Sequence, residues 1–83
     1  MHNVSLAKSA KEELRGIPDP FNRQIASKLL SLRDNPFPQG VKKLRGEDAY
    51  RIRSGDFRIL YTVNGNNVVV YAIANRKDVY KRL

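Results

Sequence analysis

The chain has 83 residues, of which 41% are hydrophobic and 29% charged, and it contains no cysteine. This composition fits a folded globular domain and argues against a disordered chain, a disulfide-stapled scaffold and most small zinc modules. No apolar run approaches the ~20 residues of a membrane-spanning helix, and the first residues lack the apolar centre of a signal peptide. We therefore expect a single domain over residues 1–83, located in the cytoplasm.

The charge is strongly positive and unevenly distributed. Sixteen Lys and Arg against eight Asp and Glu give a net charge of +8 and a pI near 10.2. Residues 1–40 hold six basic and four acidic side chains, whereas residues 41–83 hold ten basic and four acidic ones. Such clustering is typical of proteins that bind nucleic acid or an acidic partner. The alternative is a basic surface that serves only solubility.

The first half of the chain predicts a strand followed by two helices. Residues 3–6 alternate as a strand does, and Ser9 with Glu12 three residues later has the spacing of a capping box, so that a helix begins there and ends at Gly16. Asp19 and Pro20 suit the N-cap and first turn of a second helix, which we expect to end near residue 35. Its apolar stripe is Phe21, Ile25, Leu29 and Leu32.

In the second half, the apolar period changes from helical to two. Residues 41–44, 49–53, 57–63 and 67–74 read as strands, with turn signals at residues 54–56 and 64–66. The predicted order is β-α-α-β-β-β-β. A helical hairpin packed on one face of a largely antiparallel sheet is an α+β fold.

The hairpin around Gly55 has a predictable register. Glycine at the first central position of a two-residue type II′ turn puts Arg53 opposite Arg58 and Ile52 opposite Ile59. The core face then carries Tyr50, Ile52, Phe57, Ile59, Tyr61 and Val63, and the other face carries Arg51, Arg53 and Arg58. A slip of one residue would mix the two sets, so the pattern selects this register.

The arginine face is destabilising unless it has a use. Like charges directly opposite each other cost roughly 0.2–1 kcal/mol, and only Asp56 in the turn is placed to neutralise one of them. We interpret the face as a site for phosphates. The alternative is that the arginines spread into water at little cost.

The C-terminal segment adds Arg76 and Tyr80, whose spacing of four residues would bring them to one face of a helical turn. A tyrosine can stack on a base or, where cations stabilise its phenolate, exchange a proton. Tyr80 could equally be a packing residue. The single histidine is His2, and neither a carboxylate pair for a metal nor a glycine-rich phosphate loop occurs. An enzyme built from Arg, Lys and Tyr without a cofactor suits RNA cleavage by the substrate's own 2′-hydroxyl.

Three motifs resemble the RelE/ParE toxin superfamily: KLRG at residues 43–46, YRIRSGDFRILY at residues 50–61 and NRKDVY at residues 75–80. The resemblance covers nearly the whole chain. It implies a toxin that cleaves messenger RNA in the ribosomal A site, and a cognate antitoxin that masks the basic face. The partners it implies are therefore that antitoxin, the ribosome and the messenger.

The resemblance also assigns site residues. The predicted catalytic set is Arg51, Arg53 and Arg58 at the scissile phosphate, with Arg76 and Tyr80 acting on the leaving group and the nucleophile. The predicted RNA-binding set is Lys42, Lys43, Arg45, Lys77, Lys81 and Arg82.

This chain departs from the family pattern at two places. Arginine stands at the two strand positions that are lysine in the best-described branch, and Asn75 stands where many relatives have histidine before the C-terminal arginine. Two other functions stay open: inhibition of DNA gyrase, as in the ParE branch, and RNA binding without catalysis.

Overall fold

The change of apolar period along the chain produces two helices and a five-stranded sheet. The computed structural model describes residues 1–44 and 48–79. The elements are β1 (Asn3–Leu6), α1 (Lys8–Arg15), α2 (Phe21–Ser31), β2 (Lys42–Lys43), β3 (Ala49–Ser54), β4 (Phe57–Asn64) and β5 (Asn67–Asn75). This confirms the predicted order of elements.

The sheet is mixed, with the strand order β1-β5-β4-β3-β2. The first strand runs parallel to β5, and the other three pairs are antiparallel. Both helices contribute to one core on the same face of this sheet, which confirms the α+β class. In the described part of the chain, neither helix has the length and apolarity needed to cross a membrane.

The start of α1 differs from the prediction. The N-cap is Ala7, and Ser9 lies inside the helix, so the predicted capping box of Ser9 and Glu12 is wrong. The Ser9 hydroxyl instead donates a hydrogen bond to the Tyr71 carbonyl of β5 at 3.0 Å. Glu13 on the same helix accepts a hydrogen bond from the Ile73 backbone N–H at 3.0 Å. These two hydrogen bonds give partners to the Tyr71 carbonyl and the Ile73 N–H of β5, beyond the point where β1 pairs with this strand.

The start and end of α2 also differ from the prediction. Pro20 is the residue that precedes the helix, and Asp19 forms an exposed ion pair with Arg23 at 3.7 Å instead of capping the first turn. The helix ends at Ser31 rather than near residue 35, because residues 32–34 form a turn. Ile25, Leu29 and Leu32 are buried as predicted, whereas Phe21 is 46% exposed.

The β3–β4 hairpin has the predicted register. Arg53 pairs with Arg58, and Ile52 pairs with Ile59. Gly55 has φ +59°, and no residue other than glycine has positive φ in the described chain, which matches the φ pattern of a type II′ turn. The β4–β5 hairpin repeats this arrangement, with Gly65 at φ +59°.

The main core lies between the helices and one face of the sheet. Its buried members are Ala10, Ile25, Leu29, Leu32, Ile52, Ile59, Tyr61, Val68, Val70 and Ile73. Tyr50, Phe57 and Val63 pack against it while only partly buried. The predicted core face of the hairpin is therefore confirmed, and the arginines lie on the other face.

A β-bulge in β5 creates a second apolar cluster on the arginine side of the sheet. Leu60 pairs with Ala72, but Tyr61 pairs with Val70, so Tyr71 is the extra residue of the bulge. The extra residue keeps Ile73 in the main core and turns Ala72 to the opposite face. There, Leu60, Ala72, Ala74 and Val79 form a buried cluster. The bulge thus prepares a seat for the segment that follows β5.

A buried hydrogen bond fixes the loop after α2 to the sheet. The Tyr61 side chain is fully buried, and its hydroxyl donates to the Pro36 carbonyl at 2.6 Å. Burial, and to a lesser degree the neighbouring Tyr50, raises the pKa of Tyr61 from 10.0 to about 12. The phenol therefore stays protonated in the fold over the whole range in which proteins are normally handled.

We predict that Tyr61→Phe lowers the free energy of unfolding by about 1–3 kcal/mol near neutral pH, because the Pro36 carbonyl loses its partner. The difference in unfolding free energy between the native protein and the variant should shrink between pH 10 and about 12. In this range Tyr61 loses its proton in the unfolded chain but keeps it in the folded protein. Urea unfolding of both proteins across this pH range measures the difference. A constant difference would contradict the role assigned to the buried phenol.

Candidate active site

Six cations surround one cavity on the open face of the sheet. The cavity has a volume of about 400 Å³. Its described lining consists of Lys42, Arg51, Arg53, Arg58, Arg76, Lys77 and Val79, which we call the arginine pocket. Every described residue of this lining except Val79 carries a positive charge. The pocket is therefore suited to an anion.

The strand register brings these side chains together. Arg51 and Arg53 alternate on β3, so they share a face, and Arg58 on β4 lies directly opposite Arg53. On the outer side, Lys42 of the short edge strand β2 lies opposite Arg51. Three adjacent strands thus contribute one or two cations each to the same surface.

The Gly55–Asp56 turn holds two of the arginines by its backbone. The Arg58 guanidinium donates to the Gly55 carbonyl at 3.0 Å and to the Phe57 carbonyl at 3.2 Å. The Arg76 backbone N–H donates to the Asp56 carbonyl at 2.8 Å. Both arginines are therefore positioned by backbone carbonyls, which are neutral and do not cancel their charge.

The segment after β5 is shaped by Asn75. Its side-chain oxygen accepts from the Lys77 N–H at 3.1 Å, and its carbonyl accepts from the Asp78 N–H at 2.8 Å. This Asx-type turn puts Arg76 and Lys77 at the pocket and delivers Val79 into the second apolar cluster. At this position Asn75 acts as a turn former.

Arg58 lies close to the other positive charges of the pocket. Burial, followed by the positive charges of Arg53, Arg51 and Arg76, lowers the pKa of Arg58, while Asp56 acts in the opposite direction. A guanidinium stays charged despite such a shift, because its ordinary pKa lies far above neutral. An anion in the pocket would relieve the part of this shift that comes from the neighbouring arginines.

The structure brings together six of the predicted site residues and separates one. Arg51, Arg53, Arg58 and Arg76 of the predicted catalytic set line the pocket, with Lys42 and Lys77 of the predicted RNA-binding set. Lys43 pairs with Tyr50, whose side chain packs on the main core, so Lys43 belongs to the other face. Arg45, Tyr80, Lys81 and Arg82 lie outside the described residues, and their roles stay predictions.

Two features of the pocket were not predicted. Val79 lines it as an apolar wall, and the carbonyls of Gly55 and Phe57 anchor Arg58. The bulge that seats Val79 leaves only a faint signal in the sequence, two small alanines on either side of Ile73. Backbone acceptors leave no signal in side-chain identity.

The single histidine, His2, does not line the arginine pocket. The backbone N–H of His2 donates to the Arg33 carbonyl at 2.8 Å, so this residue is held beside the turn that follows α2. It precedes β1, at the sheet edge opposite β2. Over residues 1–44 and 48–79, His, Asp and Glu side chains do not gather in groups of three or more that could hold a metal ion.

The opposed pair Arg53 and Arg58 yields a prediction about stability. Arg53→Gln should raise the free energy of unfolding by roughly 0.2–1 kcal/mol at low salt, and the gain should shrink at high salt. Lys11→Gln on the exposed face of α1 is the control with the same charge change. Urea unfolding at two salt concentrations compares them. The same change in unfolding free energy, with the same salt dependence, in both variants would contradict repulsion between Arg53 and Arg58.

Comparison with known proteins agrees with this fold. Residues 4–80 match the family described as ParE toxin of type II toxin-antitoxin system, parDE. The chain is similar to Toxin RelE3 of Methanocaldococcus jannaschii, with 28% identity over 82 residues and 93% of each chain covered.

Solved structures of toxin–antitoxin complexes are also similar. A chain of the intact E. coli RelBE complex matches with a TM-score of 0.78 and 26% identity, covering 90% of this chain and 96% of that one. A chain of the RelB–RelE complex from Methanococcus jannaschii matches with a TM-score of 0.75 and 25% identity, covering 94% and 96%. The protein therefore belongs to the RelE/ParE superfamily of toxins from type II toxin–antitoxin systems.

Proposed function

We propose that this toxin is an endoribonuclease that cleaves messenger RNA on the ribosome and thereby stops translation. The observation that carries the proposal is the arginine pocket, which gathers Arg51, Arg53, Arg58 and Arg76 around one cavity. A protein that only needs a basic surface gains nothing from setting these charges against each other. A substrate phosphate gives the arrangement a use.

The chemistry is transesterification within the RNA. The 2′-oxygen attacks the adjacent phosphorus and loses its proton, the bond from phosphorus to the 5′-oxygen breaks, and that oxygen gains a proton. The products are a 2′,3′-cyclic phosphate and a 5′-hydroxyl. DNA lacks the attacking hydroxyl, so a site of this kind spares DNA.

The arginines act by charge rather than by proton transfer, because a guanidinium holds its protons too tightly to donate one to the leaving oxygen. Arg51, Arg53 and Arg58 bind the phosphate oxygens as negative charge grows on the phosphorane. Arg76 lines the same pocket and stabilises the departing 5′-oxygen. Tyr80 takes its role at the nucleophile from the family resemblance.

The pocket supplies the positive charge that a metal ion supplies in many nucleases. Its described lining offers cationic donors and an apolar wall but no carboxylate ligand, and a divalent cation would be repelled by it. We therefore propose that cleavage needs no cofactor.

A cognate antitoxin is the second proposed partner. The matched chains from E. coli and Methanococcus jannaschii come from complexes of a toxin with its antitoxin. For this chain, an acidic or amphipathic antitoxin segment would relieve the positive potential of the pocket and block the substrate at once. Action on ribosomes also implies a cytoplasmic location.

Inhibition of DNA gyrase is the alternative function, since the matching family is described by the name ParE. This function needs a binding surface and makes no use of a phosphate-cleaving pocket. A supercoiling assay with purified gyrase tests it directly. Inhibition at stoichiometric toxin, with translation unaffected, would favour it over the ribonuclease.

Arg76→Ala is the sharpest test of the ribonuclease. The substitution keeps the backbone hydrogen bond to Asp56 and removes the side chain beyond Cβ, including the guanidinium. We expect cleavage to fall by about 100-fold while thermal stability is kept. Cell-free translation followed by primer extension, with and without ribosomes, measures the cuts. Undiminished cleavage by the folded variant would refute the assignment of the pocket.

The two glycine turns provide a matched test of positioning. Gly55 and Gly65 both have φ +59°, and an added Cβ at either meets no atom within 4 Å. Because alanine rarely adopts a positive φ, we expect the substitution to cost about 1–2 kcal/mol of stability at each position. Only Gly55→Ala disturbs the carbonyl that holds Arg58, so we expect it alone to slow single-turnover cleavage, by about 10- to 100-fold. Equal rates for both variants would exclude the positioning role of the turn.

A further inference from the structure

A second polar groove adjoins the arginine pocket on the other side of the β3–β4 hairpin. One wall is the exposed stripe of α2 formed by Gln24, Ser27, Lys28 and Ser31, and the other is residues 53–55 of the hairpin. The groove has a volume of about 610 Å³, within the range of roughly 300–1,000 Å³ typical of small-molecule sites. We call it the hairpin groove.

Arg53 connects the two cavities, because it lines both. A chain that places one phosphate among the arginines can therefore continue past Arg53 without leaving a positively charged surface. Lys28 provides a second cation from the opposite wall. Two cations along one path suit a ligand with regularly spaced negative charges, as in a nucleic-acid backbone.

Apart from Arg53 and Lys28, the described lining is neutral and rich in hydrogen-bonding groups. Gln24 offers an amide with both donors and an acceptor, and Ser27 and Ser54 offer hydroxyls that can do either. Gly55, in the hairpin wall of the groove, has no side chain, so a ligand can approach the backbone closely there. Groups of this kind recognise the edges of unpaired bases and the ribose 2′-hydroxyl.

The groove between β1 and α2 serves as a contrast. It is lined largely by apolar side chains, including Val4, Leu6 and Leu29. Only Asn3 and Arg33 of its described lining are polar or charged, whereas every described residue of the hairpin groove except Gly55 is polar or charged. A nucleotide fits the hairpin groove better than an apolar helix does.

We propose that the hairpin groove binds single-stranded RNA next to the nucleotide held in the arginine pocket, with Gln24 and Ser27 contacting a base and Lys28 a phosphate. This inference rests on the proposed function and adds a second contact to it. The RNA can be the messenger itself or a strand of ribosomal RNA beside it. In either case the groove contributes to RNA binding and to site preference, while the arginine pocket performs the cleavage.

The test compares two double variants that change charge and side chains equally. Gln24→Ala with Lys28→Gln removes groups of the groove, whereas Gln39→Ala with Lys11→Gln makes the same changes at exposed positions elsewhere. We expect the groove variant alone to raise the half-saturating ribosome concentration by about 10-fold. Its single-turnover rate at saturation should change much less. A changed nucleotide preference beside the cut, read by primer extension, would also support the groove.

Crosslinking identifies the ligand without relying on cleavage. A benzophenone amino acid at Ser27, in a protein that also carries Arg76→Ala, is irradiated with programmed ribosomes. Crosslinks to the messenger or to ribosomal RNA support the inference and tell the two sources apart. Crosslinks only to ribosomal protein, or equal kinetics for the two double variants, would overturn it. If the native protein cleaves no RNA but Ser27 still crosslinks to it, the ribonuclease proposal fails and the groove stands.

Discussion

The register of the β3–β4 hairpin is the constraint on which the fold and the candidate site both depend. Because Arg53 lies opposite Arg58, Ile52 must lie opposite Ile59. One pairing therefore completes the main core and concentrates positive charge on the reverse face. The burial of isoleucine and tyrosine side chains stabilises the protein by more than the like charges destabilise it. Core packing therefore keeps β3 and β4 paired despite the repulsion between Arg53 and Arg58 on the reverse face.

The second constraint is the bulge at Tyr71, which decides what covers the reverse face. A regular β5 would direct Ala72 toward the helices and Ile73 away from them. The bulge reverses this, keeps Ile73 in the main core and leaves small alanine side chains for Val79 to pack on. The chain after β5 is thereby held against the sheet beside the arginine pocket. Access of Arg76 to the pocket follows from packing as well as from charge.

Sequence reasoning was most successful where side-chain pattern and turn chemistry agree. Alternation and Gly55 together predict the hairpin register and the arginine face, since both signals are local. The predicted cap at Ser9 was wrong, because the first residue of a helix depends on where the preceding strand ends. The bulge was not predicted, because the pairing with the neighbouring strand determines which residue is extra. Sequence reasoning also missed the carbonyls that hold Arg58, which any residue could supply. Arg45 and Tyr80, outside the described residues, remain predictions from sequence.

Under the proposed function, the repulsion between the arginines of the pocket would link catalysis to inhibition by the antitoxin. The anchors of the pocket are carbonyls of the Gly55–Asp56 turn, which hold the Arg58 guanidinium and the Arg76 backbone N–H without adding a full negative charge. A carboxylate anchor would stabilise the free protein more, but it would compete with a phosphate for the same guanidinium. Asp56 offsets only part of the repulsion, and an anion that enters the pocket would relieve the rest. Under the proposed function, an RNA phosphate would bind strongly to such a site, and a partner that presents acidic side chains to the same arginines would block it.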